Sequence, residues 1–472
     1  LPETYSGKKV SVIGGGPAGI AATYVLAKKG VPVCCFEADA VVGGISRTIE
    51  YKGFRFDIGG HRFFSKYDRV NALWQEVLGD EFLIRPRLSR IYYNGKFFNY
   101  PLQVGNALSG LGLILSLKIL SSYCRSRISP IRPEENFEDW VSNRFGRQLY
   151  SIFFKTYTEK VWGIPCNEIR AEWAAQRIKG LSLWSAVKNA LFGDPEKKIK
   201  TLINEFSYPR LGPGQMYETM AKKAVGMGAD LCLLQRVVII NHQAGKIVSA
   251  EIVGPEGPKT VEATDIISTM PITDLVLNMR PKPPEEVAAA TKKLRYRSLL
   301  TVNLLLRVPQ QLPDTWLYVH DPSVRLGRVQ CFANWSPFMV PDKEHSSLGL
   351  EYFCTERDEL WEMEDDELIA LAREEIGKLG LARSEDVFDG FVVRMPKCYP
   401  VYDGEYRQHL DTIRTYLSGF ENLQLCGRYG LFKYNNMDHS MLTAMLAVEN
   451  VLGADHDVWE INADDAYHEE GK

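Results

Sequence analysis

Apolar positions along this chain follow two different periods, and the changes of period divide it. Val10 to Ile13 is a short apolar run that ends in glycines, and an alanine-rich stretch follows to Lys29, closed by Gly30. That pattern predicts a strand, a tight turn and a helix. A second apolar run, Val31 to Phe36, predicts the next strand. From Tyr67 to about Thr201 the period becomes helical, interrupted by a hairpin with Arg90–Tyr93, a turn at Asn94-Gly95, and Lys96–Phe98. Pro133 and Glu134 open a helix whose Phe137, Val141, Phe145, Leu149 and Ile152 share a face. Sheet patterning resumes at Tyr208–Leu234 with a glycine-rich turn, a short helix and a strand, then a meander through Lys246–Val253, Lys259–Val261 and Asp265–Thr269. Ser298–Leu306, Arg328–Trp335, Leu348–Cys354 and Val387–Arg394 read as strands of another sheet, with a helix at about Asp365–Leu379. A strand ending at Cys426 and a helix from about Met437 close the pattern.

The first turn carries chemistry. Gly14, Gly16 and Gly19, with Pro17 and Ala18 between them, have the G-x-G-x-x-G spacing between strand and helix. Such glycines let the backbone approach a pyrophosphate, whose charge then sits at the positive end of the helix. Glu37 ends the second strand, where an acid accepts ribose hydroxyls, so the ligand is a dinucleotide. A second pair, Gly43 and Gly44, lets the chain fold back on the cofactor, and Arg47 is within reach of its phosphates. Asp57, Gly59 and Gly60 suggest another close backbone approach, near a ring system.

Composition removes some functions and adds one question. The 472 residues carry a formal net charge of −3, with no basic excess for nucleic acid. Nine cysteines without a C-x-x-C pair read as thiols of a reducing cytoplasm, not as a disulfide framework or metal site. Nothing before Gly7 resembles a signal peptide. Val104–Tyr123 is largely apolar and is followed by Arg125, Arg127 and Arg132. Asn106, Lys118 and three glycines make it a poor membrane span, so it reads as a buried helix; a membrane-peripheral surface for a lipid-carrying substrate is the alternative. No Ser-His-Asp signature, metal cluster or Walker-type loop is recognisable.

The order GGGPAG, acid, VGGxxRT, FDxGGH resembles the FAD-dependent superfamily of amine oxidases, protoporphyrinogen oxidases, phytoene desaturases and UDP-galactopyranose mutases. That resemblance implies non-covalent FAD and an α/β fold. A discontinuous Rossmann-like FAD domain would use 1–66, 205–290 and 420–472, with a mainly helical insert at 67–204 and an antiparallel substrate sheet at 291–419. Gly427-Arg428 and the Asn436, Met437, Asp438 helix start would complete the flavin site, since a helix N-terminus stabilises a reduced flavin. YTEKVWG (157–163), the 88–101 hairpin, YPVYD (399–403) and GRYGLFKYNNMD (427–438) look most like the mutases. By that resemblance Tyr157 and Trp162 line a nucleotide-sugar site, while Arg177 and Arg328 bind the diphosphate. Tyr399 and Tyr434 would donate hydroxyls to it, and His61 would lie beside the flavin. NAD(P)H is then a candidate external reductant, and a dimer a candidate assembly. One departure stands out: the mutases carry H-x-F-H-T where this chain has His61-Arg62-Phe63-Phe64-Ser65. An FAD-dependent oxidase or desaturase, or a membrane-associated flavoprotein acting on a lipid-linked glycan, is the rival to a sugar mutase.

Overall fold

The computed structural model describes residues 7–100, 102, 104–171 and 205–462. Its first sheet has five parallel strands, in the order Leu423–Leu425, Asp265–Ser268, Val10–Ile13, Val33–Phe36, Asp230–Cys232. Helices cover one face and a β-meander with short helices covers the other, which explains why Val10–Ile13, Ser11 included, is buried throughout. Helix Pro17–Lys28 packs small residues, Ala21 and Ala22, into a core shared with Met441, Ala444 and Val448 of helix Met437–Val451. Three distant stretches of chain therefore build one nucleotide-binding unit. A meander of Arg236–Gln243, Lys246–Gly254 and Gly257–Glu262, with Met279–Arg280 beside its first strand, attaches to it as a separate four-stranded sheet.

The second large sheet has seven strands, running Val387–Pro400, Tyr296–Leu306, Ser346–Cys354, Arg328–Cys331, Trp316–Val319, Ser89–Tyr93, Lys96–Asn99. Its last two strands are the expected hairpin. Asn94 (φ 49°) and Gly95 (φ 73°) supply the two left-handed residues that a tight hairpin turn requires. Within the 67–204 stretch, this hairpin extends the seven-stranded sheet, in parallel with Trp316–Val319. Helix Asp68–Leu78 buries Val70, Leu73 and Trp74 in the nucleotide core.

The helical unit differs from expectation in two places. Its long helix stops at Phe145, because Gly146 (φ 84°) sits against the backbone of Tyr123; a Cβ there would lie 2.8 Å from the Tyr123 nitrogen. Short helical segments then lead into Thr156–Trp162. The stretch expected to form one buried helix is two, Val104–Leu111 and Leu113–Ile128, meeting at Gly112 (φ 85°). The second buries only Ser116, Ile119 and Tyr123, and its outer face is exposed.

Candidate active site

The glycine turn leaves the carboxyl end of Val10–Ile13, and its three glycines serve different ends. A Cβ on Gly14 would lie 2.2 Å from Thr269 Oγ1, and one on Gly19 only 1.7 Å from the Gly14 carbonyl. Both glycines are required by the protein's own packing. A Cβ on Gly16 would meet nothing nearer than Gly44 Cα at 3.9 Å. That glycine keeps open a space the chain itself does not fill, at a helix start with no side-chain cap and no acid in its first turn. Gly43 N donates to Gly15 O (2.8 Å), which brings the second glycine pair over the first turn. Glu37 is fixed beside it, Oε2 accepting from Gly15 N (2.5 Å) and Oε1 from Asp39 N (2.7 Å). This arrangement fits FAD: the Gly14–Gly19 turn would hold its pyrophosphate and Glu37 its ribose. Arg47 lies at the rim, its guanidinium engaged by Asp39 Oδ2 at 2.8 Å.

Across from this turn, the Gly59-Gly60 bend meets the seven-stranded sheet. A Cβ on Gly59 would lie 3.6 Å from the Glu351 carboxylate, and one on Gly60 3.1 Å from Gln330 Nε2. Arg328 and Glu351 are register partners on adjacent antiparallel strands, so their side chains share a face. Arg328 Nη2 lies 2.6 Å from Glu351 Oε2 and donates to Tyr399 Oη at 2.9 Å. Gln330 Nε2 donates to the other carboxylate oxygen at 2.6 Å. Burial is the largest single effect and opposes the charge on Arg328, but Glu351 and, to a smaller extent, Tyr157, Tyr399 and Tyr434 together outweigh it and hold the guanidinium firmly protonated. Pairing is what makes two buried charges tolerable here.

Tyrosines continue this wall. Tyr399 and Tyr434 stack with ring centroids 5.6 Å apart, and the Arg428 guanidinium lies 4.8 Å from the Tyr434 ring. Arg428 is anchored by the carbonyls of Asn435 (2.9 Å) and Cys398 (3.2 Å). Tyr434 N donates to Tyr402 Oη (2.7 Å), and Trp162 is buried against Tyr402 and Tyr434. Tyr157 lies flat on His320 at 4.9 Å and edge-on to Tyr318 at 5.4 Å. His61 faces this wall. Burial, and then the charges of Arg428 and Arg328, push its pKa down to about 3, so the ring is neutral at physiological pH. Its buried Nδ1 has no hydrogen-bond partner. A neutral imidazole so placed can donate or accept a hydrogen bond but carries no charge.

Asn436 precedes helix Met437–Val451, its backbone N–H donating to His439 Nδ1 at 3.3 Å. Buried Asp438 accepts from Ser65 Oγ at 3.0 Å, which ties the His61–Ser65 stretch to the start of this helix. Gly427 (φ 80°) approaches Ala18 so closely that a Cβ would lie 2.9 Å from the Ala18 Cβ. Of the residues read from sequence, His61, Arg328, Tyr399, Tyr434 and Arg428 come together, and Tyr157 stands near enough for the Arg328 charge to act on its hydroxyl. Arg177 lies outside the described residues. Glu351, Gln330 and Tyr402 were missed. Glu351 did leave a signal, because a lone acid within the apolar run Leu348–Cys354 has to be paired.

A parallel sheet with a glycine turn and an acid at the end of its second strand, facing an antiparallel sheet, is the frame of a dinucleotide-binding class of protein. The model of the flavin-containing amine oxidoreductases matches residues 17–452, and the chain belongs to that family, which implies FAD as cofactor. Protoporphyrinogen oxidase 2 of Arabidopsis thaliana is 30% identical over 158 residues, 31% of each chain. The 1-hydroxycarotenoid 3,4-desaturase of a Flavobacterium species is 35% identical over 103 residues, 21% of each. The matched regions thus span about a third or less of these relatives' length. A reduced UDP-galactopyranose mutase structure superposes with a TM-score of 0.83 at 23% identity, covering 97% of this chain and 98% of that one. A putative protoporphyrinogen oxidase from an Exiguobacterium species gives 0.71 at 17% identity, over 95% and 99%. At these identities the two structures establish the shared fold.

Proposed function

We propose that this protein is a flavoenzyme acting on a nucleotide-activated sugar, in the manner of UDP-galactopyranose mutase or a close relative. The observation that carries this reading is Arg328, held charged by buried Glu351 and hydrogen-bonded to Tyr399, with Tyr434 stacked alongside. A diphosphate calls for a fixed cation flanked by neutral donors, and the rings of a nucleotide sugar call for aromatic walls such as Tyr157. Superposition with a mutase over nearly the whole chain supports the same reading. FAD, when bound, would supply the redox-active or nucleophilic centre. Around it, Arg328 and the tyrosine hydroxyls would orient the diphosphate, and neutral His61 would offer a hydrogen bond at the reacting end. Phe64 stands where mutases have a second imidazole and cannot move a proton.

That substitution also favours a second reading, a net oxidase or desaturase, which the family assignment accommodates. Titration of the FAD-loaded protein with UDP tests the first. The wild type should bind, and Arg328→Lys and Tyr399→Phe should each weaken binding, Arg328→Lys by about tenfold, as loss of a fixed, charge-assisted contact predicts. Both should keep the flavin absorbance. No UDP binding by the wild type, or equal affinity in all three proteins, would overturn the nucleotide-sugar reading. Turnover of an amine, porphyrinogen or polyene by oxidised enzyme would establish the second.

A further inference from the structure

Helix Leu113–Ile128 is fastened to the protein along one side only. Its inner face, Ser116, Ile119 and Tyr123, is buried, and Ser122 Oγ accepts from Gln148 N at 3.1 Å. Gly146 packs directly on the Tyr123 backbone, so the helix cannot roll to bring its other face inward. That face carries Leu113 (76% exposed), Ile114 (75%), Leu117 (57%) and Ile128 (84%). Leu113, Leu117, Ser121, Cys124 and Ile128 follow helical spacing, so they form one stripe along the axis. Lys118 and Arg125, two turns apart and both exposed, edge this stripe, and Arg127 stands exposed in the last turn. Residues 102–133 contain no Asp or Glu, in a chain that has 59 of them. On the neighbouring helix and the loop before it, Glu138 accepts from Tyr150, and Glu134 from Arg144 and Asn143.

We infer that this helix is an interfacial one, seating the protein on a bilayer surface that contains anionic lipid. Apolar side chains with a cationic margin and no acids satisfy both demands of such a surface, hydrocarbon below and negative headgroups beside it. A second copy of the chain is a poorer occupant, because a twofold contact would set the cationic margins against each other. No helix among the described residues is long and apolar enough to cross a membrane, so the contact lies in the plane of the interface. The helix belongs to the same apolar cluster as Phe98, Trp162 and Tyr399, and thus braces the substrate wall. The inference is independent of which substrate the site takes.

Co-sedimentation of the FAD-loaded full chain with vesicles tests it. The protein should bind vesicles of phosphatidylcholine with about a third phosphatidylglycerol, and bind pure phosphatidylcholine much less. Ile114→Glu with Leu117→Glu should lower partitioning at least about tenfold. Lys118→Glu with Arg125→Glu should remove the preference for anionic vesicles. Retained flavin absorbance and an unchanged thermal midpoint would show that these variants fold. A wild type left in the supernatant with anionic vesicles, or an Ile114/Leu117 variant that binds as well as wild type, would overturn the inference. So would wild-type self-association in sedimentation velocity that this variant abolishes, with no vesicle binding.

Discussion

The glycine turn and the arginine–tyrosine wall are both parts of the candidate site, yet they are specified differently. Most of what shapes the turn lies within a short stretch of sequence, from Gly14 to Gly44, with Thr269 and Gly427 closing on it from distant segments, and it acts through backbone spacing. The wall takes Arg328, Glu351, Tyr399 and Tyr434 from separate strands and loops and relies on strand register to bring them together. One half is constrained by what cannot fit and the other by what must be paired. Steric faults should therefore break the first, and electrostatic faults the second.

The largest effect should come from the turn. Gly19→Ala drives a Cβ into the Gly14 carbonyl and should cost about 4 kcal/mol or more, losing both FAD and the folded nucleotide domain. Gly16→Ala should leave stability within about 0.5 kcal/mol yet weaken FAD at least about tenfold, since its space is free of protein. Thermal melts alongside flavin titrations separate these two glycines; if both variants behave alike, their different duties are refuted. On the wall, Glu351→Ala strands a buried guanidinium and should cost about 3–5 kcal/mol while leaving the flavin absorbance in place. Replacing both partners, Arg328→Met with Glu351→Leu, should recover most of that stability and still abolish UDP binding. Recovery of neither would mean the pair matters for packing rather than for charge.

The third difference is in the response to pH. His61 is held neutral down to about 3, by burial and then by Arg428 and Arg328; His320 is held to about 3 by burial and then Lys160. In the unfolded chain both imidazoles protonate near 6.5, so stability falls as pH drops from about 6.5 towards 3. Asp57 acts in the opposite direction. Burial raises its pKa from 3.8 to about 7, against hydrogen bonds from Tyr208 and Thr48, so its contribution is lost as pH rises through about 7. Between about 4 and 6.5 the two trends partly cancel. Denaturant midpoints across that range should rise more steeply with pH in Asp57→Asn than in wild type. An unchanged slope would mean that Asp57 ionises normally in the fold.

How much could be read in advance follows the same division. The turn, Glu37 and the Asn94-Gly95 hairpin are local, so their spacing alone predicts their geometry. That the hairpin would join the far sheet beside Trp316 is set by long-range pairing, which no local pattern encodes. Arg328 and the tyrosines came from resemblance, but Glu351, the group that holds Arg328 in place, is an interior acid with no motif around it. The Val104–Tyr123 stretch misled for a related reason. Apolar residues facing out have the same periodicity as apolar residues facing in, and only the glycine at 112 and the absence of acids set this helix apart.

The five-stranded sheet also has a consequence in time. Val10–Ile13 and Pro17–Lys28 leave the ribosome long before the helix that covers them, Met437–Val451, and the edge strand Leu423–Leu425. At roughly 5–20 residues per second, the nascent cofactor site waits some tens of seconds with Ile20, Leu26 and their neighbours uncovered. Its assembly is thus held back until those later segments have been made, and during that interval the growing chain depends on whatever shields apolar surface in the cell.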